Sequence, residues 1–76
     1  MNTNPQESTM TIVHVNDRPF ELPEPCTVAE LLKRLSLRGG PVAVELNHEL
    51  IPSDRHALTP LQHGDQLEVV SLTGGG

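Results

Sequence analysis

The chain has no tryptophan, no tyrosine, a single phenylalanine and a single cysteine among its 76 residues. With one aromatic side chain it offers no platform on which bases could stack, and five Lys and Arg against ten Asp and Glu leave a formal charge of −5. Nucleic-acid binding is therefore not expected. The lone cysteine excludes an internal disulfide framework, and a reducing cytoplasm is the expected location.

Long apolar runs and closely spaced metal ligands are missing as well. We predict no membrane span and no signal peptide, and the length allows one domain, which excludes a doubly wound cofactor-binding fold. Four histidines lie scattered at positions 14, 48, 56 and 63, without the close pairing of zinc ligands. Spacing alone supports no Ser–His–Asp or paired-carboxylate arrangement. The sequence thus predicts no metal site, no catalytic residue and no bound cofactor.

What the sequence does contain is a succession of short strands and one amphipathic helix. β-branched residues and alternation predict strands at 10–15, 20–22, 42–46, 49–51 and 66–72. Turn clusters at 16–19 and 47–48 join the first and the second pair of strands, and 52–61 is a crossing loop with room for a helical turn after Ser53. The order β-β-α-β-β-β indicates an α+β sheet with one helix covering one face.

The helix carries the strongest local signal. Thr27 is its predicted N-cap, with Glu30 three residues later to complete a capping box, and Gly39-Gly40 ends it. Cys26 stands where a hydrophobic staple would pack, which predicts an inert thiol; the alternative is a reactive thiol whose pKa is lowered by the helix dipole. One apolar stripe at i, i+3, i+4 and i+7 faces the sheet: Val28, Leu31, Leu32 and Leu35.

Alternation along the strands sorts their side chains onto two faces. Ile12, Val70 and Leu72 are left on the open face, where they are candidates for a docking patch; a strand with a mixed outer face is the alternative. The expected core lies under the helix stripe and consists of Val13, Val15, Val42, Val44, Leu67 and Val69.

Three consecutive glycines, Gly74, Gly75 and Gly76, end the chain directly after the last predicted strand. A glycine tail keeps wide backbone freedom and can thread a channel too narrow for side chains. The four residues after Leu72 reach at most about 13–14 Å, enough to carry the Gly76 carboxylate into another protein's active site. The alternative is a frayed terminus. The chain divides into a disordered leader at 1–9, a domain at 10–72 and a flexible tail at 73–76.

Four segments together resemble the thiamine-biosynthesis sulfur carrier family. They are N-D at 16–17, T-V-A-E-L-L at 27–32, V-E-L-N-H-E-L-I-P at 44–52 and H-G-D-Q-L-E-V-V-S-L-T-G-G-G at 63–76. The resemblance covers residues 10 to 76. It implies the ubiquitin-like β-grasp fold, a mixed sheet of four to five strands with one main helix packed on one face. In that fold the first and last strands pair in parallel at the centre.

The resemblance also implies a chemistry at the terminal carboxylate. An activating enzyme would use ATP and magnesium to adenylate Gly76, and a persulfide from a cysteine desulfurase or another donor would convert it to a thiocarboxylate. Thiazole synthase would then take up the sulfur. The chain would be a protein cosubstrate, monomeric when free, and not an enzyme.

Two alternatives to this function stay open. One is a sister sulfur carrier, such as the small subunit of molybdopterin synthase or a carrier for tRNA thiolation or amino-acid biosynthesis. The other is a ubiquitin-like binding module with an inert tail.

Overall fold

The computed structural model describes residues 10–35 and 40–72, a five-stranded sheet with one α-helix packed against it. The predictions for the leader at 1–9, for Gly39 and for the tail at 73–76 concern residues outside the described ranges. Among the described residues no helix is long and apolar enough to cross a membrane. The elements are β1 (Met10–Val15), β2 (Arg18–Pro23), α1 (Val28–Arg34), β3 (Val42–Leu46), β4 (Glu49–Ile51), a 3₁₀ helix (Ser53–Leu58) and β5 (Gln66–Ser71).

The sheet has the strand order β2-β1-β5-β3-β4. β1 and β5, the first and last strands, pair in parallel, with Val15 opposite Leu67, while every other pair is antiparallel. The expected β-grasp arrangement is confirmed. Because β5 lies between two partners at the centre of the sheet, the segment that leads to the C-terminus is held on both sides.

The first hairpin turns more tightly than expected. Only Asn16 and Asp17 form the turn, both at positive φ (50° and 70°), and β2 already begins at the next residue. Pro19 therefore lies inside a strand, opposite His14. The strand tolerates Pro19 because β2 is an edge strand. After a two-residue turn, hydrogen-bonded pairs alternate with non-hydrogen-bonded pairs, and both Pro19 and Pro23 occupy positions without a ladder hydrogen bond.

Helix α1 begins as predicted and ends earlier. The Thr27 hydroxyl accepts from the Glu30 N–H at 3.3 Å, which confirms the N-cap. The last helical residue is Arg34, and Leu35 forms the C-cap, with its N–H bonded to the carbonyl of Leu31.

The core between α1 and the sheet contains most of the predicted residues. Val13, Val15, Val44 and Leu67 are buried, as expected. Val42 and Val69 are only partly buried and pack against the core from its margin. Val42 is the first residue of β3, and Val69 lies beyond Leu67, where the pairing of β5 with β1 ends. The core also contains Val28 and Leu31 of the predicted helix stripe and Cys26 of the predicted staple, whereas Leu22 of β2 and Leu61 of the crossing loop were not predicted.

The second hairpin and the crossing loop follow the predicted pattern. Asn47 and His48 form the turn at positive φ (51° and 72°), and β4 has three residues before Pro52 stops it. The crossing loop contains the 3₁₀ helix, where His56 is buried and its Nε2 lies 3.1 Å from the Ile51 carbonyl oxygen. This contact ties the crossing loop to the edge strand.

Candidate functional site

The site is the end of β5, from which the chain leads to the terminal glycines. Here the Leu72 N–H donates a hydrogen bond to the Pro41 carbonyl oxygen at 2.9 Å. Gly40, which directly precedes Pro41, has φ 83°, a left-handed backbone conformation that favours glycine. Gly74, Gly75 and Gly76, the predicted threading and reacting residues, lie outside the described residues. The described chain ends at Leu72, which this hydrogen bond ties to the sheet.

Two asparagine side chains from the hairpin turns hold β5 in place. Asn16 bonds both backbone groups of Val69: its Oδ1 accepts the N–H at 3.0 Å and its Nδ2 donates to the carbonyl at 3.1 Å. On the opposite side, the Asn47 Oδ1 accepts the Gln66 N–H at 3.0 Å. Each amide extends a neighbouring strand by one ladder position, so β5 is paired beyond the last residues of β1 and β3.

Next to the end of β5, the outer face of the sheet carries exposed apolar side chains. Val70 and Leu72 are 55% and 57% exposed, as predicted from alternation. Ala43 is directly opposite Val70, and Leu50 on β4 is 63% exposed. Ala43, Leu50 and Leu72 line one open groove at this end of the sheet. We call Ala43, Leu50, Val70 and Leu72 the apolar strip.

Two members of the apolar strip, Ala43 and Leu50, were not predicted. The signal for Leu50 is the hairpin itself: a two-residue turn makes Leu46 and Glu49 partners, and therefore places Leu50 opposite Glu45. Residues directly opposite in an antiparallel pair share a face. Since Glu45 alternates with core residues of β3, Leu50 has to point outward with it.

Ile12 is on the same outer face but not in the apolar strip. It is opposite Glu21, its N–H donates to His63 Nδ1 at 3.1 Å, and its carbonyl accepts from Gly64. Because His14 pairs with Gln66 in the parallel β1–β5 ladder, Ile12 and Val70 are offset by six residues, about 20 Å. The three predicted docking residues therefore do not form one patch: Val70 and Leu72 are together, and Ile12 is at the opposite end.

Between these two ends the outer face is polar. Glu45 and Glu68 are directly opposite each other on β3 and β5, and both are exposed. A small cavity beside them is also lined by His14, Asp17 and His48. The Nδ1 of His14 is buried without a hydrogen-bond partner among the described residues. Within 10–35 and 40–72 no group of three or more His, Cys, Asp or Glu is arranged to hold a metal ion.

Cys26 lies away from this face, under the start of α1. It is 3% exposed and belongs to the core cluster together with Leu31, as the staple interpretation predicts. Burial raises the pKa of the Cys26 thiol, and the nearby Glu30 carboxylate raises it further. A thiol activated by a helix N-terminus would have a lowered pKa. The geometry therefore favours the inert thiol over the reactive one.

Comparison with known proteins points to one family. The ThiS family model matches residues 6–76. The sulfur carrier protein ThiS of Escherichia coli K12 is 31% identical over 61 residues, 80% of this chain and 92% of that protein. The crystal structure of a thiamine biosynthesis protein (ThiS) from Geobacter metallireducens superposes with a TM-score of 0.73 at 32% identity, over 87% of this chain and 100% of that one.

A further relative is a longer protein. A thiazole synthase of Paramagnetospirillum magneticum is 42% identical over 50 residues, which are 66% of this chain and 15% of that protein. A segment similar to this chain is thus part of the same polypeptide as that thiazole synthase.

Proposed function

The chain belongs to the ThiS family, and from that premise we propose that it is a sulfur carrier of thiamine biosynthesis whose Gly76 carboxylate receives and delivers the sulfur. The family match extends to residue 76, the position of that carboxylate. The observation that carries the proposal is the position of β5. A centrally paired strand, fixed up to Leu72, presents a tail of four residues that contains three glycines.

The chemistry follows from the weakness of a carboxylate as an electrophile. In the proposed reaction an oxygen of Gly76 attacks the α-phosphorus of ATP, pyrophosphate leaves, and the acyl-adenylate has AMP as a good leaving group. A persulfide sulfur then attacks the acyl carbon and expels AMP, giving an acyl disulfide. A second thiol cleaves the S–S bond by exchange, which releases the Gly76 thiocarboxylate and a disulfide.

In this proposal the partner enzymes bind ATP and Mg²⁺ and supply all catalytic groups. The activating enzyme would bind ATP and Mg²⁺, and a cysteine desulfurase or another donor would supply the persulfide in a reducing cytoplasm. The carrier itself would bind no cofactor, be monomeric when free, and act as a cosubstrate. The carrier contributes the tail itself. Fully extended, the four residues after Leu72 span at most about 13–14 Å, and glycine has no side chain to obstruct a narrow channel.

We assign docking of the activating enzyme to the end of the outer face where Val70 and Leu72 are exposed. The short tail supports this assignment, because an active site that holds Gly76 has to lie within its reach of Leu72. Ile12, about 20 Å away along the sheet, is not part of this contact.

Thiazole synthase is the proposed acceptor of the sulfur. Support comes from the Paramagnetospirillum magneticum protein, in which a thiazole synthase contains a segment similar to this chain. Joining a donor module to the enzyme that consumes its sulfur keeps the two at high effective concentration.

Mass spectrometry tests the proposal directly. The purified chain is incubated with the activating enzyme, ATP, Mg²⁺ and a persulfide donor, and the C-terminal peptide is then analysed. The expected result is the exchange of one oxygen for one sulfur at Gly76. A chain without Gly76, or one extended by a single residue, should not be loaded, because its reacting carbon is misplaced.

Two results would contradict the proposal. An unchanged mass under conditions that load a known ThiS protein would indicate an inert tail and favour the binding module. Loading of the extended chain, without prior trimming, would show that the terminal position of the glycines is irrelevant. Sulfur transfer from the loaded chain to thiazole synthase, rather than to a molybdopterin or tRNA-thiolation system, separates this carrier from its sister carriers.

A further inference from the structure

The two hairpin turns of the sheet are built alike. The first residue of each turn is an asparagine at nearly the same positive φ, 50° for Asn16 and 51° for Asn47. Each side-chain amide makes two hydrogen bonds, and in both cases its Oδ1 accepts a backbone N–H of β5. The two asparagines therefore form a matched pair whose members hold the same strand at different places.

The two amides bond opposite ends of β5. Asn47 holds the start of the strand, because its Oδ1 accepts the Gln66 N–H at 3.0 Å and its Nδ2 donates to Asp65 Oδ1 at 3.1 Å. Asn16 bonds the N–H and the carbonyl of Val69, further along the strand. Of the two, Asn16 is the one at the end of β5 that leads to the terminal glycines.

At that end the two edges of β5 are held by different groups. The pairing of β5 with β1 ends at Leu67, whose carbonyl accepts the Asn16 backbone N–H at 2.9 Å. Beyond it, the Asn16 side-chain amide occupies the position that the next peptide group of β1 would take. On the other edge, backbone pairing with β3 continues to the end of β5 and on to the Leu72 N–H. Deleting the Asn16 amide would remove both hydrogen bonds of Val69 on the β1 edge and loosen residues 69–72, the exit segment of β5.

We propose that Asn16 is a positioning residue for the reaction at Gly76, whereas Asn47 serves folding alone. This inference rests on the proposed function and adds the residue that orders the exit segment before the activating enzyme binds. An exit segment that is already ordered loses no further conformational entropy on binding. Loss of the Asn16 amide should therefore weaken productive binding and leave the chemical step unchanged, because the bound enzyme holds the same tail in either case.

The test compares Asn16→Gly with Asn47→Gly. Glycine accepts positive φ, so each variant deletes an amide and preserves its turn. Pyrophosphate release by the activating enzyme, at increasing concentrations of folded carrier, gives KM and kcat. Asn16→Gly should raise KM about fivefold to tenfold with kcat within about twofold of wild type. Asn47→Gly loses the same number of hydrogen bonds, and it should change both constants less than about twofold.

Amide hydrogen exchange of the free carriers checks the cause. In Asn16→Gly the Leu72 N–H should exchange at least about fivefold faster than in wild type, because the exit segment is loosened. In Asn47→Gly the faster exchange should be confined to the start of β5, at the Gln66 N–H. If thermal unfolding shows that Asn16→Gly does not fold, Asn16→Asp replaces it. This variant keeps the Oδ1 acceptor and loses the donor, and it should raise KM in the same direction by a smaller factor.

Three results would overturn the proposal. They are an unchanged KM for the Asn16 variant, an equal rise in KM for Asn47→Gly, which would reduce the effect to a general loss of stability, and an unchanged exchange rate of the Leu72 N–H. Sulfur loading of wild-type Gly76 is measured in parallel. Its failure counts against the proposed function, whereas normal wild-type loading combined with any of these three results counts against the role of Asn16 alone.

Discussion

The two faces of the same sheet are built from alternate residues of the same strands, yet they differ in almost every property. The covered face packs Val13, Val44 and Leu67 under α1, with almost no exposed surface. The outer face, one residue further along each strand, carries glutamates, histidines and the apolar strip. In a domain of this size nearly all burial is confined to one side. Residues that stabilise the fold and residues that are available to a partner are therefore neighbours in the sequence.

Removal of a covered side chain is the strongest test of this separation. Leu31→Ala should lower the free energy of unfolding by about 2–5 kcal/mol, because Leu31 is completely buried and its loss leaves a cavity under the helix. Leu50→Ala removes the same atoms from the outer face, where the side chain is 63% exposed, and should cost below about 0.5 kcal/mol. Urea unfolding followed by circular dichroism measures both. Similar losses for the two variants would contradict the conclusion that the covered face, and not the outer face, stabilises the fold.

A charge introduced on the outer face should weaken partner binding and leave the stability of the fold nearly unchanged. We expect Val70→Asp to weaken binding to the activating enzyme about tenfold or more, because a buried interface would have to desolvate the new carboxylate, while the midpoint of thermal unfolding stays near that of wild type. Ile12→Asp is the control on the same face at the far end. A calorimetric titration in which both variants, or neither, lose affinity would remove the apolar strip as the contact.

The smallest expected effect concerns Cys26 on the covered side. Its pKa is raised by burial, so above the ordinary thiol pKa of about 8.5 the unfolded chain releases a proton that the folded chain retains. Stability should therefore fall as pH rises beyond that value, and Cys26→Ala should show a shallower fall. Urea unfolding between about pH 7 and pH 10 gives the two slopes. Cys26→Ala should also accept sulfur at Gly76 as wild type does, and rapid alkylation of the folded wild-type thiol at neutral pH would contradict the inert role.

Much of the fold was predictable because local signals and burial agree. The Thr27 cap, the helix stripe, the turns with Asn at positive φ and the strand alternation all report on short stretches of chain. The parallel pairing of β1 with β5 at the centre came from the family resemblance, because it joins residues about 50 positions apart, and the order of the other strands was not predicted. The position of Pro19 within β2 could not be predicted either, since a proline is tolerated there only because the strand is at an edge.

The candidate site was predictable in part for the same reason. Alternation correctly places Val70 and Leu72 on the outer face, but it cannot show how far apart two residues of different strands are. Ile12 was grouped with them and lies about 20 Å away, because the parallel register offsets β1 from β5. Leu50 was missed although the hairpin turn determines its face. The sheet face on which a residue lies follows from local alternation, whereas the distance between residues of different strands depends on the register of the whole sheet.

The two outer strands restrict how this domain can meet other molecules. β2 contains prolines at 19 and 23, where the missing N–H groups face away from the sheet, and β4 has only three residues before Pro52. Neither edge offers a row of free N–H groups along which a foreign strand could extend the sheet. We therefore expect a partner to contact side chains of the described domain rather than pair with the backbone of an edge strand. Since outer-face side chains contribute little to folding, substitutions there can change the choice of partner in evolution while the scaffold that presents the tail stays the same.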